Sequence, residues 1–203
     1  MRDADEQWPS DAELLRRHVA GDDQAFGELF CRHRDRLWAV ALRTICDPEE
    51  AADALQDAMV SAFRRAADFR GDSAVTTWLH RIVVNAALDR LRRRAARPAG
   101  PAGDEQAFEA LAGSAGDPAH ATDTRLDVDA ALRILPPQQR AALVVVDMLG
   151  FSVADAAVIL DISPGTVKSR CARARARLLP HVAHLRGNRS ASQSVSPAQG
   201  GDV

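Results

Sequence analysis

The stretch from Ser152 to Arg186 constrains the fold more than any other part of the chain. Ser152-Val-Ala-Asp155 has the form of a capping box, a hydroxyl followed three residues later by an acid. A short helix is expected after it, with Val153, Ala156, Ala157 and Leu160 on one face. Asp161 and Ile162 break that helix. Ser163 then offers an N-cap, and Pro164 takes the first helical position, where its missing N–H costs nothing. The second helix carries Val167, Cys171, Ala174 and Leu178 at core spacing. Its other faces hold Thr166, Lys168, Ser169, Arg170, Arg173, Arg175 and Arg177. From Pro164 to Arg186 there are six Lys or Arg residues and no acid. A short helix, a tight turn and a basic second helix make a helix-turn-helix, whose second helix enters the major groove of DNA. A solvated basic helix packed on a partner would satisfy propensity equally well. Charge of a single sign, however, suits phosphates better than an ordinary surface.

A chain of 203 residues fits one large or two small domains, and a hydrophobic content of 46% is enough for packed cores. Alanine is abundant, Phe and Trp are few and Tyr is absent, so thin all-α cores are expected. The net charge of −2 argues against a globally basic nucleic-acid binder. The charges are nonetheless segregated. Residues 47–57 hold five acids and no base, while residues 81–97 hold six Arg against Asp89. Blocks of opposite sign suggest two different partners. Cys31, Cys46 and Cys171 are odd in number and far apart, with no paired spacing, so no disulfide framework is expected. The longest apolar run, Ala141 to Val146, is too short to span a membrane. Asp3, Asp5 and Glu6 stand where a signal peptide would be positive, so a reduced, cytoplasmic protein is expected.

Residues 1–9 read as a loose arm. A capping box at Ser10 and Glu13 starts a short helix that Gly21 ends. Asp22 or Asp23 caps a long helix with Phe26, Leu29, Phe30, Leu37, Val40 and Ala41 facing inward. Asp47, Pro48, Glu49 and Glu50 open a third helix, with Ala51, Leu55, Met59, Ala62 and Phe63 as its buried stripe. Asp53, Gln56 and Asp57 lie off that stripe. Phe69 sits in a polar loop containing Gly71, where an aromatic must either fold back on the core or wait for a partner. A fourth helix runs from about Ser73 to Arg94, with Val75, Leu79, Ile82, Val83 and Ala86 inward and Arg81, Asn85, Arg92 and Arg93 largely elsewhere. Trp78 borders the inward stripe and suits either side. Residues 96–123 read as an Ala/Pro/Gly linker. The second domain, residues 124–186, adds a helix marked by Leu126, Ala130 and Ile134, then one marked by Ala141, Leu143, Val144 and Met148. Residues 187–203 read as a disordered tail.

This plan of two helical domains resembles a bacterial sigma factor of the sigma-70 family. The segments AADALQDAMVSAF and FRGDSAVTTWLHRIVVNAALDRLRRR resemble region two of the extracytoplasmic-function (ECF) group. LPPQQRAALVVVDMLGFSVADAAVILDISPGTVKSRCARARARL resembles region four. Together they cover most of residues 11–95 and 125–182, and VVNAALDRLRR and GTVKSRCARARARL are similar to the sigma-M-like group of actinobacteria.

The resemblance implies a role for each patch. Asp53, Gln56 and Asp57 match residues that dock region two on the clamp helices of core RNA polymerase, and an exposed acidic face suits a basic coiled coil. Phe69 and Asn85 match the reader of the minus-ten element, where a flipped base is stacked and its edge is hydrogen-bonded. Trp78, Arg81, Arg92 and Arg93 join that minus-ten DNA-binding set, with Arg90 and Arg94 near the same phosphates. Ser163, Thr166, Lys168, Ser169, Arg170 and Arg173 fall in the helix that reads the minus-thirty-five element of promoter DNA. An anti-sigma factor, membrane-anchored with a cytosolic part that covers both domains, is expected as a further partner.

Catalysis and cofactors are not expected: the chain has no phosphate-binding loop and no HExxH, and His181 with His184 is a poor metal pair. Two rivals share some of these features. A helix-turn-helix regulator with an N-terminal dimerisation or effector domain would need two equal half-sites. A protein-only adaptor would make no specific DNA contact. The first leaves the acidic patch and the Phe69 loop unexplained, and tight specific DNA contacts or polymerase-dependent transcription would rule out the second.

Overall fold

Side-chain caps fix where the helices begin in the computed structural model, which describes residues 8–96 and 128–191. The Ser10 hydroxyl accepts from the Glu13 N–H at 3.1 Å and starts α1 (Asp11–Val19). The Asp22 carboxylate accepts from the N–H groups of Gln24 and Ala25, at 3.0 and 3.2 Å, ahead of α2 (Ala25–Ile45). Asp47 caps α3 (Pro48–Arg64) through the Glu50 N–H at 3.2 Å. A loop containing Gly71, at φ +79°, leads into α4 (Val75–Ala96). Beyond the linker, residues 128–133 are the described part of α5, and α6 (Pro137–Leu143) starts on Pro137 and continues as a π-helical turn to Met148. Gly150, at φ +75°, breaks that run in a conformation glycine adopts at little cost. Ser152 then caps α7 (Val153–Leu160), and Ser163 caps α8 (Pro164–Ala191) through the Thr166 N–H at 3.2 Å. All regular structure among the described residues is helical.

Several inward faces differ from the sequence expectation. The buried stripe of α3 is Ala51, Ala54, Ala58 and Ala62, with Leu55 and Met59 only partly covered and Phe63 half-exposed. A row of alanines lets α3 approach its neighbours closely, which larger side chains would prevent. Phe63 instead rests its ring on His18 and Phe26, at centroid distances of 4.3 and 5.3 Å. In and after α5 the buried residues are Ala131, Leu132 and Leu135; Ala130 and Ile134 are exposed, and Leu126 lies outside the described residues. Met148 is also partly exposed, at 36%. Helix α8 continues through Pro180 and past Gly187, where the tail was expected to begin. The arm before Trp8, the segment 97–123 and the tail beyond Ala191 lie outside the described residues.

The largest difference concerns α4. Val75, Leu79 and Val83 are buried as expected, and so are His80, Val84, Ala87 and Leu88 on a second face. The first face packs on α2 and α3, and α4 also packs against α7. One apolar cluster therefore runs from Leu14, Leu29 and Leu79 to Ala156, Ile159 and Val167. A smaller cluster, Leu132, Leu135, Leu143 and Ala174, lies in the second half, with Cys46 from the end of α2 packed against it. His80, only 3% exposed, lies within the shared cluster. Its Nδ1–H donates to the Thr76 carbonyl at 2.6 Å, and its ring meets Phe151 edge-on at 5.0 Å. Nε2 has no hydrogen-bond partner, so the imidazole sits there in its neutral form. Burial pushes its pKa below the ordinary value of about 6.5, the Thr76 carbonyl acting in the opposite sense.

Two predictions follow from this packing. Ala58→Leu is expected to destabilise the fold by about 1–3 kcal/mol, because Ala58 is only 1% exposed within the packed core and the added atoms must displace neighbours; urea denaturation reads it, and an unchanged midpoint would place Ala58 outside a tight contact. For His80 the folded state takes up its proton at lower pH than the unfolded chain does. Its contribution to stability is therefore whole above pH ~6.5 and is lost as pH falls below that value. Melting curves between pH 7 and pH 5 are expected to fall more steeply for wild type than for His80→Leu; parallel curves would remove His80 from the pH response.

Candidate nucleic-acid interface

At about 100° per residue, α4 presents three stripes. Val75, Leu79 and Val83 face α2 and α3. Roughly 110° round in one sense lie His80, Val84 and Ala87, the side turned to α7. Roughly 130° round in the other lie Trp78, Arg81, Asn85 and Arg92. The Phe69 loop lies beside this third stripe, because the Phe69 and Trp78 rings sit 5.5 Å apart at 58°. Both rings are half-buried and rest against the core. The two alternatives for Phe69 thus combine: its ring folds back, but onto the other aromatic of the set rather than deep into the interior. Asn85 is half-buried one turn beyond Arg81. Arg81 is exposed, and its guanidinium lies 3.5 Å from the Asp161 carboxylate.

The remaining arginines of α4 divide by the same geometry. Arg90 turns to α3, where it binds Glu50 and Asp53 and lies 4.0 Å from Asp57. Arg94 meets Asp47 at 3.2 Å. Neither shares the stripe of Trp78, Arg81, Asn85 and Arg92; the turn of the helix brings both to the acids at the start of α3. Arg92 stays in line with Asn85 and meets Asp89 at 2.9 Å. Arg93 is exposed but returns to the side of the Val75 stripe.

Asp53, Gln56 and Asp57 are exposed together on the outer face of α3. Gln56 and Asp57 continue into a surface groove of about 360 Å³ shared with Val60, Ser61, Arg64 and Arg65. The patch therefore runs from acidic to apolar to basic along one helix. Arg90 fixes its acidic end by holding the Asp53 carboxylate.

In the helix-turn-helix, Asp161 ends α7 in the left-handed conformation, φ 52°. Val167, Cys171 and Ala174 are buried and hold α8 against the second half. That leaves Thr166, Arg170 and Arg173 on one side of α8, with Ser169 about 60° from them and Lys168 nearly opposite, in line with Arg175. The Ser163 and Thr166 hydroxyls hydrogen-bond each other at 2.9 Å, and Ser169 Oγ donates to the Thr166 carbonyl at 3.0 Å. Arg170 donates to the Gln138 side chain at 2.8 Å. Lys168 and Arg173 are exposed. Arg175, on the exposed side of the helix, makes a two-point pair with Asp147, at 2.8 and 2.6 Å.

Sequence reasoning missed the contacts between the two halves. His80, Val84 and Leu88 recur at helical spacing and carried the signal, but one inward stripe had already been assigned to α4. Cys46 and Arg140 form a second such contact: the guanidinium donates to Sγ at 3.0 Å. Burial pushes the Cys46 and Cys171 thiols above their ordinary pKa. Among the described residues no group of acids, histidines and cysteines is arranged to hold a metal ion, and no helix is long and apolar enough to cross a membrane.

Comparison with known proteins agrees with this architecture. Residues 29–97 match the family model for sigma-70 region 2, and residues 125–178 match that for sigma-70 region 4. The ECF RNA polymerase sigma factor SigM of Mycobacterium tuberculosis is 53% identical over 176 residues, covering 87% of this chain and 86% of that protein. Two solved structures superpose with TM-scores of 0.61 at 27% identity. One is CnrH in complex with the cytosolic domain of CnrY, covering 88% of this chain and 98% of that one. The other is the sigma factor RpoE with the anti-sigma factor NepR from Bartonella quintana, covering 79% and 98%. With both sigma-70 regions present in order and most of its length shared with a curated ECF protein, the chain belongs to the ECF RNA polymerase sigma factors.

Proposed function

We propose that the chain acts as an alternative sigma factor, through two DNA-reading surfaces and one polymerase-docking surface. The stripe of Trp78, Arg81, Asn85 and Arg92 beside Phe69 is the observation that carries this reading. An aromatic pair gives a stacking face, an amide one turn away can donate and accept at a base edge, and arginines in line with it meet phosphates. Such a surface opens DNA by trapping a base that has left the stack, and it hydrolyses nothing. Binding the extruded base offsets an unpairing cost of a few kcal/mol.

Asp53, Gln56 and Asp57 dock on core RNA polymerase, steered by charge to a basic coiled coil. Arg93, on the side of the Val75 stripe, adds field to the minus-ten surface rather than contact. On α8, Arg170 and Arg173 are suited to base edges of the minus-thirty-five element and Lys168 to phosphate. Ser163, Thr166 and Ser169 shape the start of the helix through their own hydrogen bonds, and the helix N-terminus itself favours phosphate. The protein acts in the cytoplasm without a catalytic centre of its own, and an anti-sigma factor is its expected inhibitor.

Two substitutions test the surfaces separately. Asn85→Ala is expected to weaken promoter opening, read by reactivity of unpaired thymines, while core binding stays within about 1 kcal/mol of wild type; collapse of core binding would make Asn85 structural. Lys168→Ala is expected to lower the salt slope of promoter binding by about one unit; an unchanged slope would take Lys168 off the phosphate backbone.

A further inference from the structure

Asp53 and Asp57 are a cost to the helix that carries them. Both lie past the first turn of α3, where an acid no longer complements the orphan N–H groups, and like charges at i and i+4 repel. One guanidinium from α4 answers them. Arg90 Nε donates to Glu50 Oε2, Nη2 donates to Asp53 Oδ2, and Nη1 lies 4.0 Å from Asp57 Oδ2. The three acids fall within about 60° of one another around α3 and are spread over two of its turns. The Arg90 side chain is 26% exposed, while those of Asp53 and Asp57 remain 58% and 62% exposed. The two carboxylates are thus gripped from the side of α4 and still face solvent.

Arg94, one turn further along, makes a pair of a different kind. Its acid, Asp47, also accepts the Glu50 N–H, so that pair secures the start of α3. Asp53 and Asp57 stand in mid-helix, away from any cap. Charge placed there at a cost to the helix, and then steadied by one arginine, points to a surface built to be met.

We propose that Arg90 is a positioning residue for polymerase docking: its planar fork fixes the Asp53 and Asp57 side chains before the partner arrives. The inference rests on the docking role given to those acids above. A loose carboxylate on an exposed helix loses rotamer freedom when it binds. One already held loses less, and the gain appears as slower dissociation. Charge alone predicts the opposite sign, because removing a cation from an acidic face steers that face faster to a basic partner. A lysine would keep the charge but concentrate it at one point, without the fork that reaches three carboxylates.

Association and dissociation rates of the full chain on immobilised core RNA polymerase provide the test, with circular dichroism and thermal melts alongside. Arg90→Gln is expected to raise the dissociation rate about five- to tenfold, with association unchanged or faster and wild-type helicity kept. Arg90→Lys is expected to raise it about two- to threefold. In an Asp53→Asn background Arg90→Gln is expected to lose most of its effect, because the arginine acts through that carboxylate. Wild-type dissociation in both arginine variants, a lysine as good as arginine, or an Arg90→Gln effect undiminished by Asp53→Asn would overturn the positioning role. If Arg90→Gln melts below the assay temperature, Arg90→Lys decides: faster dissociation at the wild-type melting temperature supports the role, and wild-type rates overturn it. Failure of the wild-type chain to bind core enzyme would overturn the docking reading itself, a result distinct from all of these.

Discussion

Helix α4 is a single rod asked to satisfy three environments, and the rest of the structure is arranged around that demand. One stripe closes the core with α2 and α3, a second meets α7, and a third carries Trp78, Arg81, Asn85 and Arg92. A helix has only so much circumference, so the stripes adjoin one another. Arg81 stands where the third stripe borders the second, which is why its guanidinium reaches Asp161. Any account of how the chain meets DNA has to begin with which of these faces is covered.

Charge is distributed by the same constraint. A run of arginines at the end of α4 looks like a basic patch in the linear sequence. Folding divides it, because successive residues turn by about 100°. Arg90 and Arg94 fall on the side of α3 and hold its carboxylates, while Arg92 remains in line with Asn85. Arg90 thereby belongs to the acidic face of α3, where it anchors Asp53 and leaves Asp57 and Gln56 exposed. On α8 the division is similar, with Arg175 given over to Asp147 and Lys168 and Arg173 left outward.

Much of this was legible before the fold was known. The capping residues Ser10, Asp47, Ser152 and Ser163 marked helix starts because a side-chain oxygen beside orphan N–H groups has few other uses. The helix-turn-helix face, from Val167 to Ala174, was legible because apolar spacing there has one solution. Two features were not. The row of alanines on α3 was passed over for Leu55 and Met59, since size draws attention while close helix approach needs smallness. The second face of α4 was hidden by His80, whose imidazole is equally at home in solvent, in a site or, as here, buried against Phe151. Pattern along one helix does not reveal what a distant segment will place beside it, so the contact between the halves emerged only in three dimensions.

As a sigma factor, the chain confers promoter recognition on a polymerase that lacks it. The most direct measurement combines purified chain with core RNA polymerase and maps transcripts from a promoter library. The account predicts new start sites whose use requires both upstream elements at fixed spacing, and no specific DNA footprint from a symmetric dimer of the chain alone. Specific binding of a dimer to two equal half-sites, with no transcripts gained by core enzyme, would contradict it.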